Sequence, residues 1–179
     1  IWKNPNPYDC EPFYNLGLAY KALGKKSKAY DAFYRAAWDG SMQNRAFYQL
    51  ACLSAGEGRY SEALEFTEKS LLCGAHHLKA RNLKTTLLRL LDRTEEAISF
   101  AEETCRIDPL DTGCRYELYL LFHDKKRQEE LKALLREDSQ NYIELSLNYR
   151  EAYLFLEAAS VLELCSDSGD PMVHYHLYS

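Results

Sequence analysis

Apolar side chains recur along this chain at helical rather than strand spacing. Phe13, Leu16, Gly17 and Tyr20 stand at i, i+3, i+4 and i+7, which puts them on one face of a helix. Gly24-Lys25-Lys26 interrupts that stripe, and Ala29, Phe33 and Ala36 restart it at i, i+4 and i+7. The pattern predicts two antiparallel helices joined by a short turn. No segment alternates apolar and polar positions between turn signals for long enough to argue a strand.

The pattern also repeats. A small Ala, preceded by polar residues and followed by an apolar stripe, occurs at Ala29, Ala63 and Ala97, each 34 residues after the last (63 − 29, 97 − 63), and the next step lands on Leu131. A fixed period of this length is the signature of a repeat architecture. Gly17 and Ala29 are expected where the helices of a pair cross, because a larger side chain would push the axes beyond the roughly 8–10 Å of close helix contact. Phe13, Leu16, Tyr20 and Phe33 fill the space around that crossing. One pair cannot bury both of its faces, so neighbouring pairs must stack.

In these positions the chain resembles the tetratricopeptide repeat, whose pattern sets an aromatic residue, Leu, Gly and Tyr, then Ala, Phe, Ala and Pro, at fixed offsets. The first repeat, about 10–43, matches through Phe13, Leu16, Gly17, Tyr20, Ala29, Phe33 and Ala36, with Ser41 in place of the Pro. The second, about 44–77, keeps Phe47, Leu50, Ala51, Gly58-Arg59-Tyr60 and Glu62-Ala63-Leu64. The third, about 78–111, keeps Glu96-Ala97 and closes on Asp108-Pro109; its cleaner stripe, Ala80, Leu83, Leu87 and Leu91, requires one extra loop residue before Thr94. The fourth, about 112–140, retains Leu118, Phe122 and Leu131, and a fifth spans 141–169 with helices at 142–153 and 155–164. Residues 170–179 read as the start of another. The resemblance implies an all-α fold, a right-handed α-solenoid of antiparallel helix pairs with about five repeats.

Residues 1–9, with Asn4-Pro5-Asn6-Pro7, read as an extended linker from an upstream domain, with Asp9 capping the first helix and Pro12 in its opening turn. Opening at Ile1 without Met and stopping inside a helical pattern, the chain reads as a piece of a longer one. Trp38-Asp39-Gly40 is expected to end a helix with a left-handed Gly, with Trp38 packed under the next repeat.

Composition narrows the function classes. Among 179 residues, 22 Lys and Arg face 27 Asp and Glu, and the net charge of −5 disfavours nucleic-acid partners. No apolar run approaches the ~20 residues of a membrane span. Six scattered cysteines, without C-x-x-C, read as small reduced core residues and lean towards a cytoplasmic location. The five histidines lack metal-ligand spacing and read as turn or cap residues. No cofactor fingerprint appears. Carboxylate pairs such as Glu62/Glu65 and Glu102/Glu103 have nothing to desolvate one member, so the chain is expected not to be an enzyme.

The residue after the aromatic core position lines the groove in proteins of the resembled family. Here that position holds Tyr14, Tyr48, Arg81 or Asn82, and Tyr116, which form either an aromatic ladder for a peptide or sugar face, or packing on the adjacent helix. Lys79, Arg81, Lys84 and Arg89 fall on one inner helix, with Arg45 at a corresponding place one repeat earlier. They form either a basic floor for an acidic motif, carboxylate or phosphate, or internal pairs with Glu95, Glu96, Glu102 or Glu103. The Lys and Asn with which one familiar variant grips chaperone C-termini are replaced by Tyr14 and Leu18, so that ligand is not carried over. The resemblance implies a non-catalytic protein-interaction scaffold whose groove, with Tyr14, Tyr48, Tyr116, Arg45, Lys79, Arg81, Asn82 and Arg89, takes a protein or peptide, or another domain of the same parent chain. The chain itself is expected to be monomeric, with self-association open to a cut end.

Short strings, Asn4-Pro5-Asn6-Pro7-Tyr8, Ala80-Arg81-Asn82-Leu83-Lys84 and Asp108-Pro109-Leu110-Asp111, also resemble the repeat tails of large bacterial proteins with an upstream β-rich, carbohydrate-enzyme-like domain. That resemblance implies the alternative of an accessory module docked on a catalytic domain.

Overall fold

A computed structural model of the chain describes residues 9–165 and 169–178. The linker expected over 1–9 therefore lies, apart from Asp9, outside the described residues, as does the run 166–168. The described residues form eleven helices and no strand. The fold is all-α, an α-solenoid type built of antiparallel helix pairs. Among the described residues no helix is long and apolar enough to cross a membrane.

The helices fall into two compact units divided between Ala80 and Arg81. The first contains α1 (Glu11–Ala22), α2 (Lys26–Ala36), α3 (Gln43–Ala55) and α4 (Tyr60–Cys73). Helix α5 (Leu78–Leu90) begins at the end of this unit. The second holds the remainder of α5 with α6 (Thr94–Ile107), α7 (Thr112–Phe122), α8 (Lys125–Leu135), α9 (Ser139–Glu151), α10 (Phe155–Glu163) and α11 (Pro171–Tyr178).

The turn inside each of the first three pairs is the same. The second helices begin at Lys26, Tyr60 and Thr94, and two residues before each stands a left-handed residue, Gly24 (φ 67°), Gly58 (φ 72°) and Asp92 (φ 57°). Glycine adopts that conformation without a Cβ clash, and Asp is among the few other residues that tolerate it. Thr94 thus keeps the 34-residue register, and no extra residue precedes it. Ala80, Leu83 and Leu87 are buried, but so are Arg81, Thr85 and Leu88 at the positions one period beyond Phe47, Ala51 and Ser54. The fourth and fifth pairs keep the same left-handed position, at His123 (φ 51°) and Tyr153 (φ 59°), and the fourth differs only in its cap, where the side chain of Asp124 accepts from the Arg127 N–H at 2.7 Å.

The crossing in the first pair has the geometry its residues dictate. A Cβ on Gly17 would sit 2.5 Å from Phe33 Cε1, while Phe33 and Ala29 are wholly buried. Hydrogen is the only side chain that admits the Phe33 ring.

The structure differs from three expectations. Helix α2 stops at Ala36 in a tightening turn, with Trp38 N–H on Arg35 C=O and Asp39 N–H on Ala36 C=O, so no left-handed Gly40 is needed and Gly40 is not left-handed. Trp38 is 74% exposed rather than packed under the second repeat. Asp9 precedes the N-cap position, held by Cys10, and binds the Glu11 N–H at 2.9 Å. Of the cysteines, Cys52, Cys114 and Cys165 are buried, Cys10 and Cys105 are half-buried and Cys73 is exposed; all are free thiols.

Candidate functional site

In the first unit, the aromatic residues of the inner helices lie in the interior. Tyr14 (6% exposed) meets Phe33 at 5.6 Å between ring centres, and Tyr48 (4%) meets the His77 ring edge-on at 4.9 Å. Arg45 is exposed, and its guanidinium lies 4.9 Å over the Tyr14 ring, a cation–π contact that fixes its direction. Lys79 is exposed as well.

In the second unit, the candidate residues form two buried polar clusters. Arg81 is 4% exposed; its Nε donates to Thr104 Oγ1 and its Nη2 to Glu103 Oε1, both at 2.9 Å, and its guanidinium lies 4.4 Å over Phe100. Asn82 donates from Nδ2 to Asp111 Oδ2 at 3.1 Å and accepts from Cys114 Sγ at 2.8 Å. Asp111 in turn caps α7 through the Cys114 N–H at 2.7 Å. Burial raises the Asp111 pKa, opposed by the hydrogen bonds from the Cys114 N–H and Asn82. Burial, followed by the Asp111 charge, raises the Cys114 thiol, so this cysteine is an inert packing residue rather than a nucleophile.

The second cluster centres on Glu117, a residue the sequence pattern had not singled out. It is wholly buried. Its Oε1 accepts from Thr86 Oγ1 and from Tyr149 OH, both at 2.7 Å, and its Oε2 accepts from Arg89 Nε at 2.6 Å. Tyr116 (1% exposed) packs edge-on against Tyr149 at 5.9 Å. Burial raises the Tyr149 pKa well above the usual tyrosine value, helped by the Glu117 charge and their hydrogen bond. Burial pulls Arg89 down, but the Glu117 charge and hydrogen bond outweigh it and leave its pKa raised, so Arg89 stays charged. Arg89 Nη2 lies 3.8 Å from Glu157.

Of the two readings of the basic inner helix, Arg81 takes the internal one, with Glu103. Arg89 is also held internally, by a carboxylate neither reading had named. The sequence signal available for Glu117 is modest: it is the only carboxylate in α7, flanked by Tyr116 and Leu118. Neither cluster offers an acid and a base facing open space; among the described residues no group of three His, Cys, Asp or Glu side chains could hold a metal ion.

No known protein-family profile matches the chain. Its structure is similar to that of a tetratricopeptide repeat protein from Parabacteroides merdae, with a TM-score of 0.69 and 18% identity over 95% of this chain and 69% of that one. It is also similar to YrrB, described as a TPR protein with an unusual peptide-binding site (0.64, 17% identity, 96% and 92% covered). A third likeness is to TTC0263, a thermophilic TPR protein of Thermus thermophilus (0.61, 18% identity, 94% and 97% covered). At these identities the likeness is one of fold, and the fold of this chain is that of the tetratricopeptide-repeat proteins.

Proposed function

We propose that this chain is a non-catalytic interaction scaffold that binds a peptide segment or a partner domain against the inner helices of its pairs. The observation that supports this best is the tetratricopeptide fold itself, shared with YrrB, whose description includes a peptide-binding site. Within the first unit, the contact is made by Arg45, braced on the buried Tyr14 ring, and by the exposed Lys79, while the buried Tyr48 contributes through the packing of the inner helices. In the second unit Arg81, Asn82, Arg89 and Tyr116 hold the inner helices in place, so their influence on a partner is through geometry. Two exposed cations favour a partner with a carboxylate or an acidic stretch.

The test is the paired variant Arg45→Glu with Lys79→Glu. Recovery of a partner by affinity capture should fall about tenfold while the melting temperature holds, because surface changes of this kind cost within ~0.5 kcal/mol. Undiminished recovery would remove those two residues from the contact. A captured partner that proves to be a catalytic domain of the same parent chain would favour the accessory-module alternative.

A further inference from the structure

The outer helix of the first pair carries an aromatic stripe that the inner-helix reading leaves unused. Tyr30, Tyr34 and Trp38 are four residues apart, so they rise along one side of α2 and the turn after it. Together with Phe13, Leu16, Ala32, Asp31 and Arg35 they border an open depression of about 800 Å³. Tyr34 is 50% and Trp38 74% exposed, and with the depression they make one contiguous apolar patch. Arg35 lies 5.6 Å over the Phe13 ring and, among the described residues, has no ion pair.

The repeat itself says what such a face takes. One period on, Phe47 and Phe66 stand where Phe13 and Ala32 stand in the first pair (13 + 34, 32 + 34). In the second pair a helix covers that place: the Tyr30 ring of α2 meets Phe66 edge-on at 6.1 Å, and Tyr30 OH reaches Glu62 at 3.4 Å. The first pair has Ala32 instead of the large Phe66, and the missing ring leaves the depression. Beyond it the first pair also departs from its neighbour, with Tyr34 and Trp38 at the positions of Glu68 and Leu72. Charge also differs along the two helices as wholes, and of the α2 charges Asp31 and Arg35 border the depression. Helix α2 sets Lys26, Lys28 and Arg35 against Asp31, whereas α4 sets Glu62, Glu65 and Glu68 against Lys69.

We propose that this face of the first pair is a docking site for an acidic amphipathic helix of a partner polypeptide. A large apolar side chain of that helix enters the depression over Ala32, its flanking apolar residues cover Tyr34 and Trp38, and its carboxylates meet Arg35. Trp, Tyr and Arg are the residue types that carry most of the energy at binding hot spots, and the helix-in-groove mode uses anchors at i, i+3 or i+4 and i+7. The site is distinct from the inner-helix contact and does not depend on it.

The Trp2→Phe variant leaves Trp38 as the sole tryptophan and its fluorescence as the reporter. The probes are a synthetic Ala-rich helix with Phe and Leu at those anchor positions and Glu elsewhere, the same peptide with Lys for every Glu, a polyproline peptide and a neutral oligosaccharide. The Glu helix should shift Trp38 emission to the blue and reduce its acrylamide quenching about threefold. Tyr34→Ala and Arg35→Glu should each weaken that binding about tenfold without changing the melting temperature, both side chains being exposed. No protection at millimolar Glu helix overturns the proposal. So does equal protection by the Lys helix, or protection by polyproline or the oligosaccharide in its place.

Discussion

The first and third helix pairs solve one packing problem with different chemistry. In the first, the helices cross where Gly17 meets Phe33; one period on, the same two positions hold Ala51 and Thr67, and a further period on, Thr85 and Ala101, all of them buried. As one partner grows, the other shrinks. The neighbouring position behaves likewise. Phe47 stacks on Phe66 at 6.3 Å in the second pair, while in the third Arg81 takes the place of Phe47 and lies 4.4 Å over Phe100. A repeat position therefore specifies a volume and a flat surface. A guanidinium meets that demand provided its donors are satisfied, as those of Arg81 are by Thr104 and Glu103.

The difference can be broken most severely in the second unit. Glu117→Ala would leave Arg89 without its main counter-charge and Thr86 and Tyr149 without their acceptor. Removing one member of a buried pair typically costs about 3–5 kcal/mol, and urea unfolding should register a loss of that order. Replacing the pair together, Glu117→Leu with Arg89→Met, should recover most of it, since apolar substitutes of similar volume are often neutral or stabilising. A double variant as unstable as the single one would mean that the charges are required for packing.

The first unit breaks by volume instead. Gly17→Ala forces a methyl against the Phe33 ring, and overpacking of this kind costs about 1–3 kcal/mol. Phe33→Leu in the same chain should return part of that loss, following the exchange of volume the repeat has already made at Ala51 and Thr67. If thermal melts show the two changes adding, the crossing is not a shared volume.

How much of this was legible in the sequence follows from the same comparison. Volume and period are written in residue types, so the spacing of Ala29, Ala63 and Ala97 located the pairs, and Gly24 and Gly58 marked their turns. Asp92 does the same backbone job without being Gly, which is why the apolar residues of α5 suggested a slipped register that the helix does not adopt. The aromatic and basic candidates were visible as types, but their burial depends on contacts between residues about 30 apart. Tyr116 stays open between groove and packing until Tyr149 is set against it, and Arg89 between a basic floor and an internal pair until Glu117 is. Trp38 failed in the other direction: an aromatic residue at a helix end suggests packing, and here it is solvent-facing.

The smallest effect, and the sharpest in sign, concerns two aspartates in the loops between pairs. Asp39 is held by the Ser41 N–H at 3.1 Å and the Cys10 N–H at 3.3 Å, and these bonds to its charged form lower its pKa below the ordinary aspartate value of 3.8. A depressed carboxylate contributes stability that is present above its unfolded pKa and lost as pH falls through the folded one. Asp111 also accepts a backbone N–H, but burial dominates and raises its pKa, so its contribution runs the other way, present at low pH and lost as pH rises through the raised value. Asp39→Asn should therefore lower the melting temperature slightly at pH 7, and its deficit relative to the parent should close as the pH falls below 3.8. Asp111→Asn should show its most favourable comparison with the parent at neutral pH and lose ground in acid. Melting curves from about pH 2.5 to 7, spanning both titrations, distinguish the two, and parallel pH profiles for both variants would mean that burial does not separate these loops.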